Sequence, residues 1–289
     1  MKPAAFAYLR ADSAPEAVAA LAAHGEGARI LAGGQSLLAV LNMRLAQPEL
    51  LIDISRAGDL NQMTLRDGGS LHTGGSRRDG SLEIGAAVTQ ASLEQRATLA
   101  AEVPLLALAL PWVAHIQVRN RGTVCGSIAH ADPSAELPLV LIALAGEVVL
   151  ASQAGERTVA AKDFFQGMLL TARRPDELLR AVRFPLAIKG CGYGFAEFGM
   201  RHGDFAIAAV AAVVSADRVR VTVGGVADRP TVGEWPRSDD PDQRLNDLAW
   251  SLAARDDLHA SAKLRRNLIR ELGRRVIDEA ATRRNEVTK

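Results

Sequence analysis

Two glycine-rich turns, about ninety residues apart, hold the residues whose types and spacing could do chemistry. The first is Ala32-Gly33-Gly34-Gln35-Ser36-Leu37. The second runs Arg119-Asn120-Arg121-Gly122-Thr123-Val124-Cys125-Gly126-Ser127 and continues as Ile128-Ala129-His130-Ala131-Asp132-Pro133. Each offers consecutive backbone N–H groups and a hydroxyl with no bulky side chain in the way, which is what a phosphate or pyrophosphate needs from a protein. Two such cradles in one chain point to a dinucleotide gripped from two sides, and so to a redox cofactor. Arg119 and Arg121 bring charge to the second turn, Thr123 and Ser127 bring hydroxyls, and Gly122 and Gly126 admit close backbone approach. Asp132 and Glu136 lie just beyond, where carboxylates could accept from ribose hydroxyls. Plainer readings stand beside these: a tight turn after a strand for the glycine pair, and a polar loop whose arginines pair with carboxylates for the second turn. Gly33-Gly34 lacks the G-x-G-x-x-G spacing of a dinucleotide fold, and no Gly-Lys-Ser/Thr follows it, so neither common nucleotide motif is present. His130 reads as a hydrogen-bonding loop residue, without a second histidine at metal spacing or a Ser/His/Asp arrangement around it.

The elements that must position these turns follow from periodicity and caps. Residues 13–24 read as a helix, with Ser13 as cap, Pro15 in the first turn and Glu16 three residues after the cap. A short apolar strand at 28–32 runs into the first turn, a helix follows at 36–45 with Leu37, Leu38, Leu41 and Leu45 on one face, and a strand at 50–54. Beyond residue 60, short strands are expected at 62–65, 70–73 and 82–86, helices at 89–95, 97–110 and 137–145, and strands at 147–151 and 157–160. A third section begins near Ala172. Strands at 178–184, 192–200, 206–215 and 218–223 form an expected meander, 228–241 is an expected surface loop, and helices follow at 241–255 and 258–283. The last helix carries Leu264, Leu268, Leu272, Val276 and Ala280 at i, i+4 steps, with Arg and Glu elsewhere, and is amphipathic.

The 289 residues are 48% hydrophobic but only 4% aromatic, so the core must be built from Ala, Val, Leu and Ile. A net charge of +1 gives no pull toward nucleic acid. Cys125 and Cys191 make no disulfide framework and no Cys/His metal spacing. The start, Met1-Lys2-Pro3-Ala4, has no apolar stretch of the signal-peptide kind, and charges interrupt every long apolar run, so no membrane span is expected and the location expected is cytoplasmic.

Taken together, AGGQSL, IGAAVT (84–89), IQVRNRGTVCGSIAHADPSAELP (116–138), GFAEFGMRHGDFAIAAVAA (194–212) and HASAKLRR (259–266) resemble the FAD-binding medium subunit of molybdenum hydroxylases, the carbon monoxide dehydrogenase and xanthine dehydrogenase-like family. The resemblance covers nearly the whole chain in the expected order. It implies an α+β fold: a two-subdomain FAD-binding fold of the PCMH type (1–57 and 58–170), then a C-terminal α+β domain of antiparallel sheet and helices (171–289). It implies that Ala32, Gly33, Gly34, Gln35, Ser36 and Leu37 wrap the FAD pyrophosphate with Leu31 and Arg29 at the edge, and that Thr123, Gly126, Ser127, Asp132 and Glu136 face the cofactor. A side chain on Gly33 would then stand in the path of the pyrophosphate. Leu179 and Phe195 match positions near the flavin. Cys125 replaces the usual glycine, and Ala196 stands where some relatives have a lysine. The resemblance further implies an electron-transfer role without catalytic acid, base or nucleophile. Molybdopterin-type cofactor and [2Fe-2S] clusters are then expected on a large and a small partner subunit, with an external electron acceptor downstream. Alternatives are a stand-alone FAD-dependent oxidoreductase of the same fold and a non-catalytic interaction subunit.

Overall fold

A computed structural model describes residues 2–67 and 80–287. The expected strand at 70–73 lies outside these residues. The first unit is a three-stranded parallel sheet with Leu50–Asp53 between Ala7–Arg10 and Ala28–Leu31. Helix Ala14–His24 packs on it through Ala14, Ala17, Val18 and Leu21. Its start is doubly satisfied: Ser13 Oγ accepts from Glu16 N at 3.4 Å, and the Glu16 carboxylate accepts from Asp12 N at 2.8 Å. The helix after the first glycine turn spans only Leu37–Asn42, shorter than the expected 36–45.

The second sheet has five antiparallel strands in the order Met63–Asp67, Gly80–Gly85, Leu178–Pro185, Glu147–Ser152, Gly155–Ala160. This corrects the expected meander, because Leu178–Pro185 is the middle strand of this sheet and pairs with Gly80–Gly85 and Glu147–Ser152. Its arginines show why. Arg183 and Arg180 reach across to Glu83 on the neighbouring strand at 2.7 and 3.2 Å, and Arg66 joins them at 2.8 Å. Burial opposes the Glu83 charge, but the hydrogen bonds from Arg183 and Arg66 outweigh it and hold its carboxyl below the usual range. The helix expected at 97–110 is broken into Leu99–Glu102 and Pro104–Ala109. Pro104 has no N–H and disfavours helical geometry at the residue before it, and Val103 sits at φ −138°, ψ 74°.

The third sheet is the antiparallel meander Gly192–Phe198, Ala208–Val214, Arg218–Gly224, Thr231–Pro236. The last strand lies within 228–241, expected to be a loop. It is an edge strand flanked by Pro230 and ending at Pro236, where missing amide donors do not break a ladder. Helix Ala262–Val287 covers one face so closely that a Cβ on Gly194 would overlap the Val276 carbonyl oxygen. Helix Glu136–Ala143 packs on the other face. One apolar core runs through the first two units to Tyr193 and Phe195, and a second fills the space between the third sheet and its helices. The architecture is α+β.

Candidate functional site

The two glycine turns meet. A Cβ built on Gly33 would overlap the carbonyl oxygen of Arg121 and stand 2.7 Å from Gly122 Cα, so the turns touch backbone to backbone. The positive φ belongs to Gly34, at 74°. The expectation that a Gly33 side chain would point into a pyrophosphate path is therefore corrected: it would point into the second turn. That second turn is fixed to the segment before it. Gln90 N donates to Gly122 O at 2.8 Å, Val124 N donates to Val88 O at 3.1 Å, and Thr89 bridges to Thr123.

A cavity of about 560 Å³ opens between the turns, within the range of roughly 300–1,000 Å³ usual for small-molecule sites. Ala32, Gly33, Gly34, Gln35, Ser36 and Leu37 line it, as do Thr123, Gly126, Ser127, Asp132, Glu136, Leu179 and Arg29. Leu31 and Phe195 do not. Leu31 packs beside Gly34, and Phe195 is buried in the core with its ring 6.5 Å from Trp112.

Among the described residues, the N–H groups of Gly33, Gly34, Gln35 and Ser36 have no hydrogen-bond acceptor. Ser36 makes no capping hydrogen bond. Thr123 Oγ1 accepts from Gly126 N at 2.9 Å and so caps the helix Val124–His130. Asp132 Oδ1 accepts from Ser134 N at 2.8 Å. Arg119 turns away from the cavity: Nε donates to Glu94 at 2.9 Å and Nη1 to the carbonyls of Val113 and Ala114. For that arginine the plainer reading, pairing with a carboxylate, is the one realised. Cys125 is buried, and its thiol donates to Ile84 O at 3.3 Å. Burial pushes that thiol far above its ordinary range, so it is not a thiolate nucleophile.

Sequence reasoning missed several contributors to the lining. Gln90 is 5% exposed and its Oε1 has no partner among the described residues. Arg173 lines the cavity with Nη1 bonded to the carbonyls of Arg174 and Glu177. Gly203, Asp204 and Phe205 form a loop from the third unit. That loop lies inside one of the segments that carry the family resemblance, and its Gly-Asp pair between two strands was the available signal.

Comparison with known proteins decides the family. Residues 4–187 match the model described as FAD binding domain in molybdopterin dehydrogenase. The chain belongs to the FAD-binding medium subunits of molybdenum hydroxylases. It is 36% identical over 298 residues to the 6-hydroxypseudooxynicotine dehydrogenase complex subunit alpha of Paenarthrobacter nicotinovorans, covering 98% of this chain and 97% of that protein. It is 38% identical over 216 residues to the carbon monoxide dehydrogenase medium chain of Afipia carboxidovorans, covering 74% of this chain and 70% of that one. Among solved structures, a chain of carbon monoxide dehydrogenase from Hydrogenophaga pseudoflava superimposes with a TM-score of 0.87 at 31% identity, covering 98% and 99% of the two chains. Quinoline 2-oxidoreductase from Pseudomonas putida 86 gives a TM-score of 0.86 at 34% identity, with the same coverage. The medium subunit is accordingly part of an oxidoreductase, and FAD is the cofactor of its family. The cavity of this chain fits that cofactor in two respects: a run of free N–H groups suits phosphate oxygens, and Gln90, a lining residue, has a buried Oε1 without a partner among the described residues.

Proposed function

We propose that this chain holds FAD between its two glycine turns and serves as the electron-transfer subunit of a heterotrimeric molybdenum hydroxylase. The observation that carries the reading is the run of four unpartnered N–H groups, Gly33 to Ser36, on the wall of a cavity shared by both turns. These N–H groups and the Ser36 hydroxyl would take the pyrophosphate. Ser127, Asp132 and Glu136 would face the sugar and ribityl hydroxyls from the opposite side. Arg29 and Arg173 add positive charge to the wall, and Leu179 adds apolar surface. Bound FAD would supply the link between one-electron donors and a one- or two-electron acceptor.

Electrons would reach the FAD from two [2Fe-2S] clusters on a small subunit, after substrate oxidation at molybdenum on a large one, and leave to an external acceptor. Two cysteines are too few to hold such clusters in this chain. The free thiols Cys125 and Cys191 fit a cytoplasmic location. Sheet membership supports a boundary between the FAD-binding part and the C-terminal domain after Pro185, later than residue 170.

The test is to purify the chain alone and with its partner subunits. Acid should release one FAD per chain, with no flavin left on the denatured protein. The chain alone should oxidise none of the complex's substrate, and activity should return only when both partners are added. Release of FMN, or turnover by the isolated chain at the rate of the complex, would refute the proposal.

A further inference from the structure

Two buried carboxyl groups with no cation beside them lie at the cavity wall and behind it. Glu136, the first residue of helix Glu136–Ala143, lines the cavity and is 5% exposed. Glu197, on strand Gly192–Phe198, is 7% exposed, and its Oε2 has no partner among the described residues. Side chains alternate along a strand, so Glu197 shares with Tyr193 and Phe195 the face that packs toward Glu136–Ala143.

The charged and titratable groups around that face are few. Glu136 comes from the helix and Asp132 from the segment before it. Helix Pro104–Ala109 and strand Ala208–Val214 contribute none. Arg220, on strand Arg218–Gly224, is committed to Glu234 and the Ile142 carbonyl. Tyr193 accepts from Ile188 N through its hydroxyl oxygen. In the loop that follows Glu197, His202 stacks on Trp112 and Asp204 lines the cavity. Among the described residues, no cation acts on either carboxyl.

Burial pushes Glu136 up to about 7, with the charge of Asp132 adding to it. Burial pushes Glu197 up to about 8, and the negative charge of Glu136 adds to it. Both groups keep part of their proton load at neutral pH, and the charge state of Glu136 bears on that of Glu197.

We propose that Glu136 and Glu197 form a proton-uptake pair coupled to filling of the cavity: when an anionic dinucleotide enters, the pair takes a proton from solvent. Glu136, at the wall, is the entry point. Glu197 does not touch the ligand; it is a positioning residue that acts through Glu136. The proton leaves a buffer acid and joins a carboxylate, and no bond of the ligand changes. The driving force is electrostatic: a ligand that fills the cavity strips water from the Glu136 carboxylate and brings two phosphate charges into the same cavity, and both raise its proton affinity. The inference rests on the FAD reading of the cavity.

Calorimetric titration of the flavin-free full-length chain with FAD, in buffers of different ionisation enthalpy, counts the protons taken up. At pH 8 to 8.5 the wild type should take up about one proton per FAD, Glu197→Gln less than half as much, and a Glu136→Gln/Glu197→Gln double variant none. FAD binding to the wild type without proton uptake, or undiminished uptake in Glu197→Gln, overturns the pair. Failure of FAD to bind the wild type overturns the cofactor reading instead. A second measurement needs no variant: carbon-13 NMR of glutamate carboxyls in the wild-type chain. Two carboxyls titrating in the neutral range support the pair, and ordinary acidic titration of every glutamate overturns it.

Discussion

A methyl group on Gly33 would have to occupy the space of the Arg121 carbonyl and of Gly122 Cα, both backbone atoms of the other turn. Neither can rotate aside, so the turns must separate. At Gly34 the obstacles are different. A Cβ there would sit 3.2 Å from the flexible ends of Leu31 and Leu38, and the main penalty is φ 74°. Gly33→Ala should therefore cost about 1–3 kcal/mol as an overpacked contact and empty the flavin site with it. Gly34→Ala should cost about 1 kcal/mol and retain more flavin. Urea midpoints and flavin-to-protein ratios of the two variants check this. A Gly33→Ala protein with a wild-type midpoint would show that the turns do not rest on each other. The glycine pair was legible in the sequence as a cradle, but which glycine contacts what was not. That depends on a segment about ninety residues away, and local spacing carries no information about it.

At the scale of elements, the HASAKLRR segment turns out to be an anchor for the long helix rather than part of the cavity. Asp257 Oδ1 accepts from His259 N and Ala260 N, Asp256 from Ala262 N, and Ser261 Oγ from Leu264 N, which places the helix start at Ala262 rather than near 258. Arg265, 6% exposed, then donates through Nη1 to the carbonyls of Ile207 and Gly225 and through Nη2 to Asp257. One guanidinium thus ties the helix to two turns of the third sheet. Arg265→Met keeps the stem but strands the carbonyls of Ile207 and Gly225, and should destabilise the chain by roughly 2–4 kcal/mol. Arg265 does not itself line the cavity, so the folded fraction should still carry flavin. Thermal melts with flavin release followed in the same sample check both halves, and early flavin loss at full folding would contradict the division. The i, i+4 leucines gave this helix away in the sequence, since an apolar stripe is a local property. Strand Leu178–Pro185 was assigned to the wrong sheet because its partners, Gly80–Gly85 and Glu147–Ser152, are set by arginine contacts to Glu83 about a hundred residues away. Phe195 read as a flavin neighbour, yet an aromatic in a buried strand serves core packing equally well, and its contact here is Trp112.

For the whole molecule, the carboxyl groups divide into two sets with opposite effects on stability. Glu83, Glu177 and Glu102 have carboxyls held below the usual range: burial opposes the charge of Glu83 and Glu177, and arginine hydrogen bonds outweigh it. Asp257 is drawn down to about 2 by the N–H groups of Ala260 and His259 and by Arg265. The unfolded chain binds protons at these groups first as pH falls, so their contribution is present above about pH 4.5 and is lost in acid. Glu136 and Glu197 act in the other direction. Folded, they titrate near 7 and 8; unfolded, near the ordinary glutamate value of about 4.3. Between those limits the native state binds more protons than the unfolded one, so stability falls as pH rises. A displacement of about three units in one group corresponds to a penalty on the order of 4 kcal/mol once both states are ionised. The flavin-free chain should therefore melt highest near pH 5 and progressively lower toward pH 8.5. Glu197→Gln should flatten the decline between pH 6 and 8.5 while leaving the acid limb in place, because its amide cannot ionise and the arginine-held carboxylates are untouched. Melting temperatures that stay level or climb from pH 6 to 8.5 would mean that these two carboxyls are charged in the folded protein at no cost, and a wall so well solvated would not couple protons to a ligand.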